Sequence, residues 1–150
     1  MSAPNTAGSP GTTAPKPPSR VTATWVGEER FDTGRPGGPV ARIDGSGETG
    51  QGPVDAVLSA LASCAAMDVV GILAKRRTPV RSLTVDVAGE RWTGVPRRLV
   101  RITLDFHIAG AGIDREHAGR AIDLALNKYC SVRDSLAKDI PIDWTLTLEQ

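Results

Sequence analysis

Apolar and polar residues alternate from Val21 to Val26, with Val21, Ala23 and Trp25 on one side and Thr22 and Thr24 on the other. That is the period of a strand with one wet face. Arg30–Thr33 and Val40–Ile43 are shorter runs of the same kind and predict a second and a third strand. The stretch from Gly45 to Gly52 reads as a flexible loop. No Gly-Lys-Ser/Thr follows it and no Gly-x-Gly-x-x-Gly opens a helix, so a phosphate cradle is set aside.

The pattern then changes period. Pro53 suits the first turn of a helix, Asp55 complements its positive end, and Lys75, Arg76 and Arg77 complement its negative end. Between them Val57, Leu58, Leu61, Ala65, Val69, Val70, Ile72 and Leu73 leave almost no polar face, and a helix apolar all round is a buried helix. Ala56 to Met67 gives only twelve residues before Asp68, short of a membrane span. The expectation is a central helix wrapped by sheet or by a second subunit.

Beyond Pro79, Leu83, Val85 and Val87 share one face of a strand. Val100, Ile102, Leu104, Phe106 and Ile108 share one face of the next, opposite Arg101, Thr103, Asp105 and His107, with Thr93–Pro96 as the hairpin loop. Asp114 then caps a helix whose buried stripe is predicted as Ala118, Ala121, Ile122, Leu124, Ala125 and Tyr129. Ser131, with Asp134 three positions on, predicts a fresh helix cap. Ile142, Trp144, Leu146 and Leu148 form one face of a last strand. This order describes an α+β domain.

Composition narrows what the domain can do. With 150 residues, 18 basic and 17 acidic side chains, the chain suits one domain and lacks the basic excess that nucleic acid or an anionic membrane would require. At 4% aromatic residues, stacking platforms for single strands are improbable. Residues 1–20 stand apart: sixteen of them are Pro, Gly, Ser, Thr or Ala, which predicts a disordered tail without the apolar core of a secretory signal. Residues 21–150 form the single domain.

Two cysteines cannot staple a chain of this length, so each is read as an individual thiol. Cys64 and Cys130 lie 66 positions apart, and His107 and His117 ten apart, without the spacing of metal ligands. There is no Gly-x-Ser-x-Gly; His107 reads as an exposed strand residue and His117 as a surface residue of the first helical turn. For Cys64, packing as a small hydrophobe is favoured over reactivity. Cys130, just before a predicted helix start, is locally the more activated thiol.

The segment Pro53-Val54-Asp55-Ala56-Val57-Leu58-Ser59-Ala60-Leu61-Ala62-Ser63-Cys64-Ala65-Ala66-Met67-Asp68-Val69-Val70, followed by Lys128-Tyr129-Cys130-Ser131-Val132, resembles the OsmC/Ohr family, closest to an OsmC-like branch with a Cys-x-x-x-Asp-Val-Val motif. The likeness runs from about Val21 to Gln150 and omits the tail. It implies an OsmC-like α+β fold of antiparallel sheets wrapped around a long buried central helix, as an intertwined homodimer. It implies also a thiol-dependent peroxidase that reduces organic hydroperoxides, with Cys64 attacking and Cys130 resolving. An arginine beside Cys64, Arg30 with Arg35 as runner-up, would lower the thiol pKa and stabilise the leaving oxygen. The hydroperoxide resistance branch carries Glu directly after the motif's proline, where this chain has Val54. Asp55, or else Glu48, is left to orient the arginine. Further implications are an external dithiol or lipoyl-type reductant and no metal or haem, while the near-neutral charge is what argues against a nucleic-acid or membrane partner. Reduced thiols and the missing signal point to the cytoplasm. The alternative is a non-catalytic OsmC-like dimer that binds a small apolar ligand at the subunit interface; a purely structural assembly module is a third reading.

Overall fold

The computed structural model describes residues 14–149. Residues 14–20 are exposed and belong to no helix or strand. The remainder of the expected tail, residues 1–13, lies outside the described residues.

The elements follow the predicted order: β1 (Thr22–Gly27), β2 (Arg30–Gly34), β3 (Val40–Asp44), α1 (Pro53–Lys75), β4 (Ser82–Arg91), β5 (Leu99–Ala109), α2 (Arg115–Leu124) running on into a π turn (Ala125–Tyr129), α3 (Ser131–Ser135) and β6 (Ile142–Glu149). They form two three-stranded sheets, β1-β2-β3 and β4-β5-β6. The first sheet is antiparallel, as is β4–β5, but β6 runs parallel to β5. The expectation of antiparallel sheets therefore fails at that one pairing. After Ala109 the chain crosses back through α2 and α3 and re-enters the sheet with Ile142 beside Ile102, and such a crossover makes a parallel pair.

One core joins the second sheet to α1 and α2. Leu61, Ala65, Val69 and Leu73, four residues apart along α1, are fully buried with Ile102, Leu104, Phe106 and Ile108 of β5 and Ala118, Ala121 and Ile122 of α2. Gly89 of β4 lets the helix close on the sheet: a Cβ there would lie 3.1 Å from both Leu58 methyls and 2.6 Å from Leu99 Cδ2. Leu99 is buried where Val100 was expected, because the β4–β5 register shifts between Glu90 and Arg91.

Asp68 does not interrupt α1, which by length and apolar composition alone matches a membrane span. The helix ends two residues before the predicted Arg77: Arg77 takes a left-handed conformation (φ 66°), and the N–H groups of Arg77 and Thr78 return to Ala74 and Leu73. The helix expected to be buried all round is covered on one side only by the described residues. Val57, Met67 and Val70 remain exposed on the other. One face of the first sheet is also left open by the described residues: Trp25, Phe31 and Ile43 lie in register across its three strands, and Trp25 and Phe31 are exposed.

Candidate functional site

The two thiols meet where α1 passes the start of α3. Cys64 sits half-buried on α1, and Cys130 is buried at the junction of the π turn and α3; both are free thiols. The π turn decides which residue faces inward. The Cys130 N–H bonds to the Ala125 carbonyl at 2.8 Å, one residue further back than in an α-helix. That extra residue puts Cys130, not the predicted Tyr129, on the buried face after Leu126; Tyr129 is 52% exposed.

Cys130, rather than Ser131, is the cap of α3: the Arg133 N–H donates to its Sγ at 3.3 Å. Asp134 pairs instead with Lys138 at 2.6 Å. The first residues of α3 also serve Cys64. Burial raises the Cys64 thiol, but the Val132 N–H, the Cys130 thiol and the Ser131 hydroxyl and N–H outweigh burial and hold it below the ordinary value. Burial raises Cys130, the Arg133 N–H opposes this, and the neighbouring Cys64 adds to the rise. The local ranking from sequence is thereby reversed, and Cys64 is the more acidic thiol. Helix-end amides act on both sulfurs at this junction, but only for Cys64, which belongs to a different element, do the donors outweigh burial.

Arg30 stands on β2, away from the thiols. Its Nε donates to Asp44 Oδ2 at 3.3 Å, and its Nη2 lies 3.2 Å from Glu28 and 3.4 Å from Glu48. Arg30 is held by Glu28, Asp44 and Glu48, whereas the largest influences on Cys64 come from Cys130 and the start of α3, so the described chain does not set Arg30 against the thiol. Asp55 accepts a hydrogen bond from the Gly52 N–H at 3.0 Å and caps α1. Of the two acids expected to orient Arg30, Glu48 touches it. Arg35 lies in the β2–β3 turn, lining a shallow groove with Thr24 and Asp32.

Asp44 escaped the sequence reading. It is fully buried, and its carboxylate accepts from the N–H and hydroxyl of both Ser46 and Thr49 at 2.6–2.9 Å. The loop expected to be flexible is thus tied to β3. The available signal was the Asp-Gly-Ser-Gly spacing, which suits an Asp bonding to the backbone two residues on. His107 is half-exposed on the outer face of β5, within 3.6 Å of Asp86, Asp105 and Glu149, and His117 bonds to the Asp114 cap.

The chain matches the model of the OsmC-like protein family over residues 45–145. Protein YhfA of Escherichia coli is 39% identical over 101 residues, covering 67% of this chain and 75% of YhfA. An OsmC-like protein from Mycoplasma pneumoniae superposes with a TM-score of 0.75 at 20% identity, over 87% of this chain and 96% of that one. The organic hydroperoxide resistance protein OhrB of Bacillus subtilis gives a TM-score of 0.58 at 15% identity, over 85% and 96%. At those identities the two structures bear on the fold alone. With its thiol motif on α1, its two sheets and a family match that spans both cysteines, the chain belongs to the OsmC-like family.

Proposed function

We propose that the protein is a thiol-dependent peroxidase that reduces organic hydroperoxides through Cys64 and Cys130. The observation that carries this reading is the pair itself: two free thiols on separate elements within reach of each other, the one on α1 made acidic by the start of α3. The Cys64 thiolate attacks the distal oxygen of ROOH, the O–O bond breaks, and the alkoxide leaves and takes a proton to become the alcohol. Cys130 then attacks the sulfenic sulfur, expels water and forms the disulfide, which an external dithiol reduces. Such a cycle fits a reducing compartment such as the cytoplasm.

The working unit is a homodimer. The open side of α1 and the apolar row of the first sheet are two faces that nothing in the described chain covers, and exposed apolar faces of this kind belong to interfaces. Arg30 lies on the face of that sheet opposite Phe31, beside Asp44, and its charge would stabilise the developing oxyanion only where that face met the other protomer's Cys64. The non-catalytic apolar-ligand reading has in its favour a groove of about 380 Å³ between α1 and the π turn, lined by Met67, Ile72, Leu124 and Tyr129.

Intact mass after one equivalent of cumene hydroperoxide separates the two. Loss of two hydrogens, abolished in Cys64→Ser, is the expected result. An unchanged mass at stoichiometric oxidant sinks the peroxidase and leaves the binder.

A further inference from the structure

Cys130 is a hinge as well as a thiol. Its backbone is extended (φ −70°, ψ 103°) between two helical segments, so a single residue joins the π turn to α3. Beyond it α3 is one turn of five residues, none of them fully buried, anchored to the core by Val132 and, just past its end, by Leu136. A helix this short does not hold itself together, because one turn returns too few bonds for the dihedrals it fixes. Its first N–H groups have no partner within the helix and must find acceptors elsewhere. Those acceptors are sulfur. The Arg133 N–H donates to Cys130 Sγ at 3.3 Å, while the Ser131 and Val132 N–H groups and the Ser131 hydroxyl serve Cys64, to which the Cys130 thiol also donates. All three N–H groups that open α3 thus end on the thiol pair. A thiolate at Cys64 is a charged acceptor, and bonds to a charge are about twice as strong as neutral ones. A disulfide sulfur carries no charge and accepts weakly. The far end of the turn is held without sulfur: the Ser135 hydroxyl donates to the Ser131 carbonyl at 2.7 Å and Lys138 to the Asp134 carbonyl at 2.6 Å.

We infer that α3 is a redox-sensitive switch: the reduced thiol pair caps it, and joining Cys64 to Cys130 removes the cap and frees the first turn of α3 about the Cys130 hinge. This rests on the two-cysteine cycle proposed above. In that cycle the two thiols give up two protons and two electrons to the hydroperoxide. The O–O bond breaks to give alcohol and water, and the S–S bond forms. Neither sulfur then bears a negative charge, so Ser131, Val132 and Arg133 lose their acceptors in one event. The change reaches the surface. Ser131, Arg133 and Asp134 wall a cavity of about 410 Å³, and Arg133 also lines an adjoining one of about 310 Å³. The oxidised protein therefore presents a loosened wall between two cavities where the reduced protein presents an ordered one, and the state of the half-buried thiols is displayed on the outside of the molecule.

The test follows amide exchange in the full chain, reduced and after the thiols are linked with diamide. Diamide itself takes up the two protons and two electrons, so the result does not depend on peroxidase activity. The Val132 and Arg133 amides are expected to exchange about tenfold faster in the disulfide form, the scale of losing one hydrogen bond, while Ala121 and Ile122 of α2 keep their rates. Trypsin should cut after Arg133 faster in the disulfide form, and re-reduction with dithiothreitol should restore protection in both measurements. Cys64→Ser treated with diamide should keep the reduced pattern; where that variant does not fold, the re-reduction of wild type decides. Unchanged exchange at Val132 and Arg133, acceleration that spreads through α2, or failure of diamide to link the thiols each overturn the inference. Failure of hydroperoxide to form the disulfide, with diamide succeeding, counts against the peroxidase reading alone.

Discussion

Asp44 holds Arg30 from beneath: the buried carboxylate receives the Arg30 Nε at 3.3 Å while it ties Ser46 and Thr49 into the loop that leads to α1. The Thr49 hydroxyl, then the Ser46 hydroxyl and the two backbone N–H groups, hold Asp44 far below the usual carboxylate range against the cost of burial. A depressed folded pKa contributes stability above the unfolded value of about 3.9, and this is lost as pH falls below it. Hydrogen exchange at the Phe31 and Thr33 amides, taken relative to the intrinsic rate at each pH, is therefore expected to accelerate below about pH 4. Asp44→Asn should accelerate it at neutral pH and flatten its acid dependence, and should lower the thermal midpoint more than Asp55→Asn. An acid profile identical in wild type and Asp44→Asn contradicts this account.

The acidity of Cys64 depends on the start of α3, and Ser131→Ala removes the hydroxyl among its donors. The pH profile of iodoacetamide alkylation at Cys64 is expected to have a midpoint below the free-thiol value of about 8.5 in wild type and to move upward in the variant. Alkylation near neutral pH should slow several-fold, the usual scale for losing one hydrogen bond to a charged group. A profile that stays in place would transfer the effect to the backbone amides.

Met67 is 72% exposed on the open side of α1, so Met67→Lys leaves the protomer's packing intact. If that side faces a second copy, the change places two ammonium groups where two methionines were buried. The dimer should weaken by roughly a hundredfold or more. Light scattering on the eluting protein is expected to show the protomer mass, with an unchanged far-ultraviolet spectrum. A dimer that persists at micromolar concentration removes α1 from the interface.

Leu73 is fully buried between α1 and the second sheet. Leu73→Ala should cost about 2–5 kcal/mol in urea unfolding with the slope unchanged, because the site loses both transfer energy and packing around the cavity left behind. A loss below about 1 kcal/mol would mean that the core closes over the gap.

The chain's local patterns carried the order of elements. Alternation marked all six strands, and the apolar run from Val54 to Leu73 with Pro53 and Asp55 at its start marked α1, because side-chain period and capping chemistry are set within a few residues of each other. Cys64 and Cys130 stood out through a motif written in consecutive residues. Tertiary structure decided the rest. Whether β6 entered parallel or antiparallel depended on where α2 and α3 returned the chain. Whether Tyr129 or Cys130 turned inward depended on a single hydrogen bond to Ala125. That Cys64 rather than Cys130 became the acidic thiol, and that Asp44 rather than Asp55 took hold of Arg30, came from groups far apart in the chain brought within bonding distance. A residue's neighbours along the chain fix its backbone preferences, but its charge state answers to whichever donors the fold sets against it.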